Sequence, residues 1–344
     1  MTIFDPLLDL FRGKALTIPP MDGALKPNTR LDDADVVAEV ERPDSLIFDG
    51  ASVIYASGNR LERIGATRSL REFPATISAL ALAPDGRLAV GLDSGLVMVG
   101  DEEVPGFNCP SALCFAGEDL IVCNGSGTAR PEDWVEDLMR GGATGSLWRV
   151  DLRGKARTCL ARDLAYPYGA VAAGDRVIFS ESWRHRLLSV PLSGGQATPI
   201  LSRLPAYPCR LTALPDGYLL ALFAPLNRLV EFVLQEDQYR AAMMEEIESR
   251  YWIAPTLSAS RSFLEPLQNG GVRSMGVHKA WSPTRSYGLL VRLDTDFRPV
   301  DSYHSRADGH HHGITSALEV AGRIFVASKG GNTILAIAPL ERRA

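Results

Sequence analysis

The chain has 344 residues, a net charge of −5 and 46% hydrophobic residues, a composition typical of a soluble globular protein with a sizeable core. The small negative charge argues against nucleic acid as a partner, and no run of 18 apolar residues predicts a membrane span. Five cysteines without a CxxC pair, and no cationic leader followed by an apolar core, predict reduced thiols and a cytoplasmic location.

Residues 1–35 are predicted to form an N-terminal arm. A short amphipathic helix is expected at its start, with Phe4, Leu7, Leu8 and Phe11 on its apolar face. A stretch rich in proline and glycine follows. We expect this arm to cap the scaffold rather than to lie on a membrane, because the polar face of the helix is mixed in charge.

A short phrase then recurs six times: a proline or small residue, a variable residue, an apolar run, a turn and a second apolar run. Its copies begin PDSL (43–46), ISAL (77–80), PSAL (110–113), PYGA (167–170), PCRL (208–211) and HGIT (312–315). A third strand follows in several units, including residues 60–64, 145–150, 186–190, 228–232 and 333–337. A repeat of this period predicts an all-β, six-bladed β-propeller that occupies residues 1–344 as one domain. Residues 36–40 would complete the last blade and close the ring.

Two insertions interrupt the repeat. Residues 125–142 contain a predicted helical turn at 134–139, and residues 236–286 are predicted to lie between blades five and six, with a helix over 238–251. Long insertions on a rigid scaffold are usually either lids or contact surfaces. Both interpretations remain open for residues 236–286, including a contact with a protein partner.

One residue at the start of each phrase, the first or the second, is expected to face the channel axis. These six residues are Asp44, Ile77, Ser111, Tyr168, Cys209 and His312. Their convergence predicts the place of a functional site.

Several motifs resemble the strictosidine synthase-like family: GSLWRVD (145–151), LAYPYG (164–169), FSESWRHR (179–186), LPAYP (204–208) and PDGY (215–218). The resemblance covers roughly residues 40–340. That family belongs to the six-bladed propellers, together with gluconolactonase, regucalcin and paraoxonase types. It implies this fold, a small-molecule ligand and a site at one mouth of the central channel.

Calcium-dependent relatives of that family hold their metal with oxygen ligands at the starts of the innermost strands. Of the six axial residues here, only Asp44 fits that pattern, with Asn108 and Asn124 nearby. We therefore expect no bound calcium and no other cofactor. Plant strictosidine synthases use a glutamate in the last blade, and the matching segment HHHGIT (310–315) has no carboxylate.

An Asp44–His312 pair is the leading candidate for catalysis, because the two residues begin neighbouring blades of a closed ring. A carboxylate that accepts a hydrogen bond from one imidazole nitrogen leaves the other nitrogen as a base. Such a pair could activate water against a lactone or an ester, with Tyr168 or Arg210 stabilising the oxyanion. The remaining predicted substrate contacts are Ser111, Cys209, Asn108 and His310.

Other functions are compatible with the same residues. A strictosidine synthase-like lyase would join an amine to an aldehyde with a histidine as base, whereas a non-catalytic propeller would bind a metabolite or a protein. Cys209 as a nucleophile, and a transition-metal site made of Asp44, Cys209, His310 and His312, are weaker hypotheses.

Overall fold

Six antiparallel sheets of four strands each surround a central channel in the computed structural model, which describes residues 17–259, 265 and 284–338. Strands are the main secondary structure of this part of the chain, and the helices are few and short. The prediction of an all-β, six-bladed propeller is therefore confirmed. The helix predicted over Phe4–Phe11 lies outside the described residues.

The blades follow one another in the chain. Blade 1 contains β2 (Pro43–Phe48), β3 (Val53–Ser57), β4 (Arg60–Arg63) and β5 (Arg71–Glu72); blade 2 contains β6 (Ile77–Leu82), β7 (Leu88–Leu92), β8 (Val97–Val99) and β9 (Glu102–Val104). Blade 3 contains β10 (Pro110–Ala116), β11 (Asp119–Asn124), β12 (Gly145–Val150) and β13 (Arg157–Leu164); blade 4 contains β14 (Pro167–Ala173), β15 (Arg176–Glu181), β16 (Arg186–Pro191) and β17 (Thr198–Leu201). Blade 5 contains β18 (Ala206–Leu214), β19 (Gly217–Pro225), β20 (Gly288–Leu293) and β21 (Pro299–Ser305).

The ring closes on a blade that both ends of the propeller share. Blade 6 contains β22 (Ile314–Val320), β23 (Arg323–Ser328) and β24 (Thr333–Ile337), and its outer strand is β1 (Asp35–Glu39). The β1 strand pairs antiparallel with β24, as the apolar run at 36–40 predicts. This pairing covers the edge that β24 would otherwise expose.

Each blade is joined to the next by apolar packing and by a hydroxyl group. The hydroxyls of Ser78 and Ser111 donate to the carbonyls of Pro110 (2.6 Å) and Pro167 (2.5 Å), which open the following blades. Corresponding bonds at the other four boundaries involve Ser45, Ser182, Thr212 and Ser316. Because a buried hydroxyl without a partner is costly, these bonds favour one relative position of neighbouring blades.

The long insertion lies within blade 5, between β19 and β20, so the predicted position between blades five and six is wrong. The error follows from residues 228–232, which form no strand. They belong to the helix α2 (Arg228–Gln235), whose first turn is capped by the side chain of Asn227. Val230 and Val233 are buried one turn apart on this helix.

The other helices are short. The predicted turn at 134–139 is confirmed as α1 (Trp134–Met139), and α3 (Asp237–Glu246) is followed by a 3₁₀ turn at Ser249–Tyr251. The helix predicted over 238–251 therefore ends earlier than expected. Among the described helices, none is long and apolar enough to cross a membrane.

Candidate functional site at the upper channel mouth

We call the end of the channel at which the innermost strands begin the upper mouth. Both insertions leave the scaffold on this side, because they follow the second strands of their blades, β11 and β19. Two adjoining cavities of about 370 and 740 Å³ open here. Both are lined by Glu41, Arg42, Glu132 and Lys329. The insertions and the starts of blades 1 and 6 therefore shape one polar site.

Aromatic rings fill the neighbouring region over blades 4 and 5. Tyr166 stacks on Trp183 with ring centroids 4.5 Å apart, and Trp134 meets Phe223 edge-on at 5.1 Å. Tyr168 packs edge-on against Tyr166 and Phe223 and is 9% exposed. Tyr168 is not among the described residues that line the two cavities. Its ring packs against other aromatic rings, and the predicted contact with an oxyanion is not supported.

The ring of axial residues is partly as predicted. Ser111 and Tyr168 lie where the register of the innermost strand shifts, one residue after Pro110 and Pro167. In blade 2 the matching residue is Ser78 rather than Ile77, because Ile77 itself pairs with the end of the second strand. In blade 6 it is Thr315 rather than His312, because Ile314 begins the strand.

Asp44 is the centre of charge at the upper mouth. Its side chain is 5% exposed and contacts two cations: Arg210 Nη1 lies 2.6 Å from Oδ1 and Lys329 Nζ lies 2.7 Å from Oδ2. Burial by itself would raise the pKa of Asp44, but the two cations outweigh it and lower the pKa to about 2. Asp44 is therefore a carboxylate at neutral pH and a weak base.

Arg210 reaches across the channel from blade 5. Besides Asp44, its guanidinium donates to the carbonyl oxygens of Thr315 (3.3 Å) and Ser111 (3.1 Å), and to that of Ser78. Its Cζ lies 5.1 Å from the ring centroid of Tyr168. The residue thus contacts all five of the other blades. It is not among the described residues that line the two cavities, so the predicted direct contact of Arg210 with an oxyanion there is not supported.

The structure does not bring His312 to Asp44. The Nδ1 atom of His312 lies 2.8 Å from Ser286 Oγ, and its Nε2 lies 2.7 Å from the carbonyl oxygen of Arg306. His312 is 1% exposed, and burial lowers its pKa. The misplacement has a local cause: Gly313, with φ of 65°, turns the chain before β22 begins and leaves His312 outside the strand.

The other predicted contacts lie away from the cavities. Cys209 is fully buried, its Sγ is 3.2 Å from the carbonyl oxygen of Ala221, and burial raises its pKa to about 12. This environment does not suit a nucleophile or a metal ligand. Asn108 uses its amide to hold the carbonyl of Ala129 at 2.8 Å, and His310 is exposed with its backbone bonded to Asp32.

Lys329 is the functional candidate that the repeat did not single out. It follows β23, so it stands at the upper end of the second strand in blade 6, next to Asp44 at the start of blade 1. Its side chain is 17% exposed and lines both cavities. The signal available in the sequence was a lysine directly after a second strand, in the segment ASKGG (327–331).

The residues of the channel do not fit a bound calcium ion. Calcium takes six to eight oxygen ligands, and carboxylates usually supply the charge. Here Asp44 is the described carboxylate on the axis, and the guanidinium of Arg210 already lies against the oxygens that converge there. Within the described ranges no group of three or more His, Cys, Asp or Glu side chains could hold a metal ion.

Comparison with known proteins supports the fold. The chain matches no protein-family model and no curated protein. A calcium-binding protein, regucalcin, from Agrobacterium tumefaciens is similar in structure with a TM-score of 0.51 and 14% identity, over 90% of this chain and 97% of that one. A putative gluconolactonase is similar with a TM-score of 0.53 and 12% identity, over 89% of this chain and 91% of that one. The fold is a six-bladed β-propeller. These identities show the fold alone, and the specific likeness to strictosidine synthase remains a prediction.

Proposed function

We propose that the upper mouth is the active site of a small-molecule hydrolase that acts on a lactone or an ester. The observation that carries this proposal is the position of Lys329, whose ammonium group lines both cavities and bonds to Asp44. An ammonium group has three donors, so donors remain for an oxygen atom of a ligand. The similarity in structure to a putative gluconolactonase supports this reaction class.

The charge of the ion-pair cluster supports the same reaction. Asp44 supplies one negative charge, while Arg210 and Lys329 supply two positive charges, so this cluster of three residues carries one net positive charge. Hydrolysis of a lactone or ester passes through a tetrahedral oxyanion, which such a charge would stabilise. In this mechanism Lys329 contacts the oxyanion, and Asp44 holds Lys329 in place.

Asp44 would not itself activate the attacking water, because its pKa of about 2 makes it a weak base. Glu41 and Glu132 line the same cavity as Lys329 and are the carboxylates that we assign to this step. The predicted Asp44–His312 pair is not retained in the proposed mechanism, since both ring nitrogens of His312 bond elsewhere.

A non-catalytic binding propeller is the second candidate. It is favoured by the same ion pairs, since a carboxylate held between two cations is an unreactive arrangement that could simply orient a polar ligand. A condensation of an amine with an aldehyde has no such support, because the ring nitrogens of His312 and Nδ1 of His311 are engaged in hydrogen bonds and His310 is not among the described residues that line the cavities.

The proposal is tested by a panel of five- and six-membered lactones and aryl esters, with acid release followed by a pH indicator. We expect turnover of at least one compound and a fall in kcat of about 10²–10³ in Lys329→Met, the effect of losing one oxyanion donor. Lys26→Met is the matched control, because Lys26 is exposed and is not among the described residues that line the cavities.

Equal rates in the wild-type protein and Lys329→Met would refute this role. Stabilisation of the fold by a lactone without release of acid would instead support the binding propeller. A thermal unfolding experiment with the same panel distinguishes the two, because binding to the native state raises the transition temperature whether or not turnover occurs.

A further inference from the structure

Oxygen atoms from four different blades converge on the guanidinium group of Arg210. They are Oδ1 of Asp44 from blade 1 and the backbone carbonyls of Ser78, Ser111 and Thr315 from blades 2, 3 and 6. All of these residues are buried, and Arg210 itself is 9% exposed. A carboxylate and three carbonyls are a ligand set that proteins otherwise direct at a hard metal cation.

We propose that Arg210 is the resident cation of this channel and performs the structural work of a bound metal ion. Its guanidinium neutralises Asp44 and bridges carbonyl groups of blades that are distant in the chain, so that the ring is held together at its axis by a side chain. This inference is independent of the proposed hydrolase activity.

The shape of the group fits this role. A guanidinium is planar, spreads its charge over several N–H donors and stacks on aromatic rings, whereas an ammonium is a point charge. Nη1 donates to the carboxylate of Asp44 and the carbonyl of Thr315, and Nη2 donates to the carbonyls of Ser78 and Ser111. The ring of Tyr168 in blade 4 lies beneath the group, 5.1 Å from Cζ.

A second buried arginine, Arg285, lies in a different electrostatic environment from Arg210. Arg285 is 1% exposed and donates from Nε to the carbonyl of Ala254. Within the described part of the chain its Nη1 has no hydrogen-bond partner, and neither has Nε of Arg210, so the two side chains differ in the charge around them rather than in this respect. Burial lowers the pKa of Arg285 to about 10. The pKa of Arg210 is raised instead, because Asp44 together with Tyr168 and Cys209 outweighs the effect of burial. Of these two arginines, Arg210 is therefore the one whose surroundings favour its charge.

The experiment removes the side chain and supplies the cation from solution. Arg210→Ala should unfold at a lower temperature than the wild-type protein, and millimolar methylguanidinium should raise its transition temperature by about 2 °C or more, because the small cation binds the vacated site. The wild-type protein should show no such increase. Arg149→Ala is the control, since Arg149 is partly exposed and bonds to Leu192 and Asp119 outside the channel.

Absence of selective rescue in a folded Arg210→Ala protein would overturn the proposal. If that variant does not fold, the comparison of Arg210→Lys with Arg210→Met decides, because Lys keeps the charge and Met keeps only the volume. The proposal requires Arg210→Lys to unfold at the higher temperature, and equal temperatures would refute it.

Metal analysis of the wild-type protein provides a separate check. We expect no stoichiometric divalent metal after purification, and the same transition temperature in EDTA and in calcium chloride. A bound metal ion, or a loss of stability in EDTA, would show that a cation other than Arg210 holds the channel.

Discussion

The strongest stability prediction concerns Asp44, which lies between two cations in the centre of the ring. In Asp44→Asn, Arg210 and Lys329 lose their counter-charge, although Arg210 keeps its carbonyl partners. Removing one partner of a buried ion pair typically costs about 3–5 kcal/mol, because the other charge stays buried without compensation. We expect the free energy of unfolding of Asp44→Asn to fall by about that amount at pH 7.

The pKa of Asp44 gives an independent value for the free energy by which its negative charge stabilises the folded state. A carboxyl group whose pKa falls from 3.8 to about 2 on folding stabilises the folded state at neutral pH by about 2 kcal/mol, since each pKa unit corresponds to about 1.4 kcal/mol. Because the folded pKa is the lower one, this stabilisation is complete above about pH 4. It is lost as the pH falls through about 2.

Urea unfolding followed by tryptophan fluorescence, at pH 7 and between pH 4 and pH 2, measures both effects. The wild-type protein should lose stability relative to Asp44→Asn across the acidic range, so that the two curves converge. Asp85→Asn is the control: Asp85 is exposed and pairs with Arg87, so this variant should unfold at the wild-type urea concentration. If Asp44→Asn unfolds within about 1 kcal/mol of the wild-type protein at pH 7, the ion pairs do not stabilise the ring as argued.

Two further predictions follow from the interior of the ring. Cys209 should resist iodoacetamide at pH 8 until the protein is unfolded, because it is fully buried and burial raises its pKa to about 12. The partly exposed Cys159 should be alkylated in the native protein. Peptide mass spectrometry measures the labelling of each cysteine, and equal labelling of both in the native protein would contradict the argument from burial. Gly169→Ala should destabilise the fold by about 1–3 kcal/mol, because its Cβ would lie 2.2 Å from the carbonyl oxygen of Cys209 in the next blade. Gly127→Ala is the matched control, because its Cβ would lie 3.4 Å from Thr144. Urea unfolding measures the stability of both variants. An equal loss of stability in both would contradict the close approach of blades 4 and 5.

The positions of the blades were predictable because each repeat carries its own local signals. Alternating apolar runs on either side of a turn define the first two strands of a unit, and these strands pair as expected in blade after blade. The prediction failed at residues 228–232, where an apolar run of similar composition forms α2. Strand and helix patterns are hard to distinguish over five residues, and the cap from Asn227 decides in favour of the helix.

The ring of axial residues at the upper mouth was predictable only in part. Asp44, Ser111 and Tyr168 were located from the repeat, whereas Ser78 and Thr315 needed a shift of the repeat by one and three residues. An ungapped match of ITSA (314–317) with ISAL (77–80) would have placed Thr315 correctly, since both segments pair with their second strands in the same register. His312 was a natural choice by its chemistry, but it precedes the strand and faces Ser286 and Arg306 instead.

The sequence alone determined the number of blades, the closing strand and the presence of Asp44 at the axis, because these depend on patterns within one repeat. The partners of Asp44 were decided by the tertiary structure. Arg210 lies 166 residues from Asp44 and Lys329 lies 285 residues from it, and only closure of the ring brings both cations to one carboxylate. That closure turns the predicted partner of His312 into a carboxylate of low pKa that is paired with two cations. The candidate residues for function therefore become Lys329 and Arg210 instead of His312.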